Sequence, residues 1–228
     1  MIVGFDIKGY IALVGGNEWS QGCDFDNWLA QRINATSVVV LPTAAAFERP
    51  ELAVENAKAY FSEFDIKVTP VMILHRQDAF NDELVDQIAM AKFLYISGGS
   101  PLHLKSVLKD TPLYQAISSV AAKNNTVLAA SSAAAMVLGD PMVDPRGGAF
   151  TLGLGLIPGL SVLPHFNSWT ESRIKRSLMF APPEVWLAGI DEKTALIRLP
   201  DKTWKSMGEG KVKLFKSGQE LPLDQLSL

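Results

Sequence analysis

The chain has 228 residues, 48% of them hydrophobic and 20% charged, enough to bury a full core without staples, and it reads as one α/β domain spanning 1–228. The formal charge, 21 cations against 24 anions or −3, speaks against nucleic acid, which needs a basic excess or stripe. The lone cysteine, Cys23, excludes an internal disulfide and a cysteine-built zinc cluster.

Short apolar runs alternate with helical patterns through the first two thirds. Tyr10 to Val14 runs into Gly15-Gly16, Ser37 to Leu41 into Pro42-Thr43, and Val68 to Leu74 forms a third run. Phe93 to Ile96 ends at Ser97-Gly98-Gly99, and Thr126 to Ala130 ends at Ser131-Ser132. Such β-branched segments with little alternation are how strands of a parallel sheet buried on both faces read. Between them, Glu51–Phe64, Asn81–Met90 and Pro112–Lys123 have helical spacing, which implies right-handed crossovers and helices on both sheet faces. The last third opens with a glycine-rich stretch, Gly147 to Gly159. A strand at Leu160–Leu163, a helix at Thr170–Met179 and a strand at Trp186–Ile190 are expected next, followed by antiparallel hairpins over Thr194–Leu199, Thr203–Met207 and Lys211–Phe215. The predicted architecture is a three-layer sandwich with a mostly parallel, flavodoxin-like central sheet. Met1 to Gly9 has no cationic stretch leading into an apolar run, and runs such as Val127–Leu138 are too short for a bilayer, so a cytoplasmic protein with no membrane partner is expected.

In open α/β sheets the ligand site lies at the carboxyl ends of the strands. Three such ends carry small or polar residues: Gly15-Gly16-Asn17-Glu18, Gly98-Gly99-Ser100 and Ser131-Ser132-Ala133. The third resembles a nucleophile elbow, a sharp turn that lifts a serine hydroxyl above the sheet and aims the next N–H at a developing oxyanion. A serine nucleophile needs a base. Of the three histidines, His75 follows an apolar run and His103 lies at a helix start, whereas His165 ends a strand downstream of the turn. Glu192 is a strand-end carboxylate able to orient that base, with Asp140 and Asp144 as rivals.

The motifs VGGNE (14–18), LPTAAA (41–46), ISGGS (96–100), LAASSAAAM (128–136), GLGLIPGL (153–160), LPHF (163–166), SRIKRSL (172–178) and GIDEKTAL (189–196) together resemble the cyanophycinase and peptidase E family. Its members are serine hydrolases on a class I glutamine amidotransferase-like fold, and the motifs cover about Tyr10 to Leu199 in the family's order. The resemblance implies Ser132 as nucleophile, His165 as base, and an oxyanion hole made by the N–H groups of Gly99 and Ala133. It places the acid in one of two regions, holding Glu192, ranked first, and Asp140. The implied reaction is hydrolysis of a small peptide or related amide, with no cofactor and no metal; a homodimer is left open. Arg173, just beyond His165 on a predicted helix with Lys175 and Arg176, is assigned to an acidic substrate group.

The family's elbow glycines are here Ala130 and Ala134, and its polar residues after Gly-Gly are Ser100-Pro101-Leu102. These departures define the alternative, a catalytically silent relative that binds a small ligand or partner at the same strand ends. An ammonia-handling amidotransferase is a third reading, weakened because the turn carries serine where that chemistry uses cysteine. The serine-hydrolase reading also predicts that Ser132 has the less favourable backbone of the serine pair.

Overall fold

The computed structural model describes residues 6–146 and 148–228. Part of the N-terminal reading (residues 1–5) and the first residue of the glycine-rich stretch (Gly147) therefore lie outside the described residues.

The first half alternates strand and helix: β1 (Tyr10–Val14), α1 (Phe25–Ile33), β2 (Ser37–Leu41), α2 (Pro50–Ser62), β3 (Lys67–Pro70), α3 (Asp82–Ala89), β4 (Phe93–Ile96), α4 (Pro101–Leu108), α5 (Pro112–Ala121), β5 (Val127–Ser131) and α6 (Ala133–Leu138). Local chemistry sets the helix starts. Proline occupies the first turn of α2, α4 and α5, where a missing N–H is harmless. Asn81, Ser100 and Thr111 each accept a hydrogen bond from a first-turn backbone N–H of α3, α4 and α5. Helix α1 has no side-chain cap, and Phe25, Leu29, Ala30 and Ile33 hold it by burial.

Four two-residue strands follow: β6 (Gly139–Asp140), β7 (Met142–Val143), β8 (Phe150–Thr151) and β9 (Ile157–Pro158). Then come β10 (Leu160–Leu163), α7 (Glu171–Phe180), β11 (Trp186–Ile190), β12 (Thr194–Arg198), β13 (Trp204–Gly208), β14 (Val212–Lys216) and β15 (Gln219–Leu221).

The main sheet has seven strands in the order β13-β12-β1-β5-β4-β2-β3. β1, β5, β4, β2 and β3 run parallel, while β12 pairs antiparallel with β1 and β13 with β12. Alternate residues serve opposite faces. Ile11, Leu13, Leu128 and Ala130 belong to the core that holds residues of α3 to α6; Ala12, Val14, Val127 and Ala129 belong to the core that holds residues of α1 and α2. Both faces being covered explains the near-continuous apolar runs.

Two sequence readings change in detail. The run Val68–Leu74 is a strand only to Pro70, and β3 lies at the sheet edge, where a residue without an N–H is tolerated. Lys211–Phe215 does not turn back on Thr203–Met207. Instead β14 crosses to a second, four-stranded sheet, β10-β11-β14-β15, pairing antiparallel with β11 and with β15. The C-terminal hairpins are thus β12–β13 and β14–β15. Among the described residues no helix is long and apolar enough to cross a membrane.

Candidate active site

The ends of β1, β5 and β4 lie side by side, because β5 sits between β1 and β4. At the end of β5 the chain must leave the sheet and enter α6 at once. Ser131 is still strand, fully buried, and Ser132 makes the turn with φ 49° and ψ −109°. A non-glycine residue there is strained. Of the adjacent serines, Ser132 has the unfavourable backbone.

Ser132 Oγ lies 2.9 Å from His165 Nε2, and His165 Nδ1 lies 2.8 Å from Glu192 Oε1. A carboxylate only accepts, so the proton sits on Nδ1 and leaves the Nε2 lone pair facing the serine hydroxyl. The imidazole is about two-fifths exposed and the carboxylate about one-third. Asp140 instead accepts from the N–H of Gly153, and Asp144 pairs with the Arg146 side chain at the surface. His103 Nε2 lies 2.8 Å from the Leu74 carbonyl, and His75 is exposed.

Glycine makes this approach possible. His165 lies two residues beyond β10 in a left-handed conformation, with its N–H donating to the Gly15 carbonyl. The ring covers Gly16, where an added Cβ would lie 2.1 Å from the imidazole. The Gly16 carbonyl accepts from the N–H of Lys193, fixing the loop that carries Glu192, and Asn167 Oδ1 accepts from the N–H of Glu192.

The N–H groups of Gly99 and Ala133 have no protein acceptor among the described residues. Both residues line the cleft of about 290 Å³ that Ser132 and His165 also line. Pro101, Met136, Pro145 and Pro164 give it largely apolar walls. Among the described residues no group of three or more His, Cys, Asp or Glu side chains could hold a metal.

The model of peptidase family S51 matches residues 11–205, most of the chain and the segments that carry Ser132, His165 and Glu192. The chain belongs to that family. It is 26% identical over 218 residues to the cyanophycinase of Synechococcus elongatus, an alignment covering 90% of this chain and 67% of the relative. It is 25% identical over 216 residues to that of Nostoc sp., covering 90% and 72%. A crystal structure of a peptidase from an acI-B1 Actinobacterium superposes with a TM-score of 0.83 at 30% identity, covering 97% of this chain and 96% of that one. A putative peptidase E of Listeria monocytogenes EGD-e shares the fold, with a TM-score of 0.58 at 15% identity over 91% and 98% of the two chains. Membership supports a peptidase or hydrolase function, with a peptide as the substrate class.

Ala130 and Ala134 are fully buried, and Ser132 still reaches His165 between them. Arg173 lines the cleft: its guanidinium lies 3.6 Å from the Trp169 ring centroid, and Nη2 donates to the Pro145 carbonyl. Burial lowers its pKa, yet an arginine at neutral pH keeps its charge. Lys175 faces Glu171 at the surface, and Arg176 covers Gly148. Sequence reasoning missed Trp169, Asn167 and the contacts of Glu18. Trp169 and Asn167 lie within four residues of His165, a neighbourhood the family motifs already mark.

Proposed function

We propose that the protein is a serine-type hydrolase of small peptides or related amides that works through an acyl-enzyme. The observation that carries this reading is the unbroken Ser132–His165–Glu192 hydrogen-bond chain opening onto a cleft. Ser132 Oγ attacks the scissile carbonyl carbon as His165 Nε2 takes its proton, and the carbonyl π pair moves onto oxygen. Glu192 holds Nδ1–H and so fixes the tautomer that can accept that proton. The N–H groups of Gly99 and Ala133 stabilise the oxyanion, and the first helical turn of α6 adds a favourable dipole. Collapse expels the amine, which receives the proton from His165. Water then enters by the same route in reverse, releasing the acid and restoring the serine.

The cleft admits a small acyl group. Arg173, stacked on Trp169 and held by one bond to Pro145, offers its remaining Nη donors as the partner for an acidic substrate group, its Nε being buried. A fluorophosphonate probe tests the reading, since it labels an activated serine. Wild-type protein and Ser131→Ala are expected to be labelled, and Ser132→Ala is not. Equal labelling of the two variants, or an unreactive wild type, removes Ser132 from its role.

A further inference from the structure

Glu18 is not part of the hydrogen-bond chain through His165, yet it reaches both loops that frame the cleft. Its Oε1 accepts from the N–H of Gly98 at 2.9 Å, and its Oε2 accepts from the hydroxyl of Ser131 at 2.7 Å. One carboxylate beyond β1 thus ties the loop after β4 to the last residue of β5, over sequence separations of 80 and 113 residues. A charged acceptor makes such bonds roughly twice as strong as neutral ones.

The loop after β4 runs from Ser97 to Ser100 with two glycines at its centre, and glycine sets little intrinsic limit on the direction of its peptide planes. Its peptide planes are fixed from both sides. The Ser97–Gly98 plane is held by Glu18, and the Gly99–Ser100 plane by the bond from Ser100 N–H to the Ala44 carbonyl at 2.8 Å. The plane between them carries the Gly99 N–H; apart from a long 3.4 Å bond from the Ser97 hydroxyl to the Gly98 carbonyl, it takes its direction from its neighbours. The fit is close: a Cβ at Gly98 would lie 3.2 Å from Ser132 Cβ, and one at Gly99 would lie 2.3 Å from the Ala44 carbonyl oxygen. The Ser131 bond sets the position of the residue immediately before Ser132. It also occupies the Ser131 hydroxyl, so that the two adjacent serines have separate tasks.

We infer that Glu18 is a positioning residue, which aims the Gly99 N–H at the cleft and holds the Ser131–Ser132 turn in register with it. The assignment rests on the serine-hydrolase reading above. Fully buried Asp26 nearby has its pKa driven well up, by burial first and then by the charge of Glu18.

The test uses the whole chain and the kinetics of fluorophosphonate labelling. Glu18→Ala should lower the first-order inactivation constant about 10- to 100-fold, the range below that for losing an oxyanion donor outright, with the probe's binding constant unchanged. Glu18→Gln can still accept from Gly98 and donate to Ser131, and it should recover to within about threefold of wild type. Ser131→Ala keeps the Gly98 bond and should slow labelling by only a few-fold. A packing role would instead lower the melting temperature in step with labelling and would not be rescued by glutamine; that pattern overturns the assignment. Residue-resolved amide hydrogen exchange gives a readout independent of activity. Exchange at Ser100, which does not touch Glu18, should rise at least about tenfold in Glu18→Ala as the loop loosens. Unchanged exchange there refutes the positioning role. If wild-type protein does not label at all, the hydrolase reading fails, and exchange still decides whether Glu18 anchors the loop.

Discussion

At the residue scale, the site depends on which proton each group holds. Glu192→Gln replaces an acceptor with a side chain that can donate to Nδ1 and so stabilise the wrong tautomer. Hydrolysis and probe labelling should fall roughly 10⁴-fold with little change in stability; a loss under about tenfold would show that Glu192 does not orient His165. Asp26 is the other residue whose proton matters, because both carboxylate oxygens are fully buried. Its raised pKa means the folded chain keeps this proton to higher pH than the unfolded chain does. Its support for the fold is complete below the ordinary carboxylate range and drains away as pH climbs from there through the raised folded value. Asp26→Asn cannot ionise, so the variant should gain on wild type in denaturant midpoint between about pH 4 and about pH 8. Parallel midpoints over that interval would contradict the prediction. The pairing of Ser132 with His165 was legible because each follows a strand closely, in the right chain order and within family motifs. The contacts of Glu18 were not, because nothing local in VGGNE marks partners that the folded sheet brings in from two other strands.

At the scale of elements, the turn after β1 does the most to assemble the site. Its two carbonyls accept from His165 and Lys193, and its Gly16 forms the floor under the imidazole. Gly16 has φ 110°, so alanine there meets both an unfavourable backbone and the ring itself. Gly16→Ala should cost about 1–3 kcal/mol in stability and displace the imidazole. A displacement of 1 Å costs about 10²-fold, so labelling should fall at least that far while the far-ultraviolet spectrum stays native. Wild-type labelling in this variant would mean that the ring does not need its place over Gly16. The strands of the parallel sheet were readable because burial on both faces produces continuous apolar runs. Helix α1 was not among the helices read from the sequence; in the structure Asp24 stands at its N-cap position but makes no side-chain cap bond. The partner of β14 escaped for a different reason: a glycine-containing turn after a strand looks the same whether the chain folds back or crosses to another sheet.

At the scale of the molecule, Ser132 stands on the main sheet, His165 follows β10 and Glu192 follows β11 of the smaller one. The two sheets are joined by one apolar core in which Leu13, Ile96 and Leu128 share a cluster with Leu163, Leu187 and Phe215. A common core predicts one cooperative unit. Leu163→Ala, fully buried on the smaller sheet, should cost about 2–5 kcal/mol and shift the fluorescence and circular dichroism transitions together. Two separated transitions would divide the chain into independent domains. The chain has five tryptophans, and of these Trp169 lines the cleft, with the Arg173 guanidinium on its face. An acidic ligand that draws the guanidinium off the indole would change that ring's electrostatic surroundings and so its emission. The difference spectrum between wild type and Trp169→Phe is therefore an optical gauge of cleft occupancy, readable without turnover and without a label.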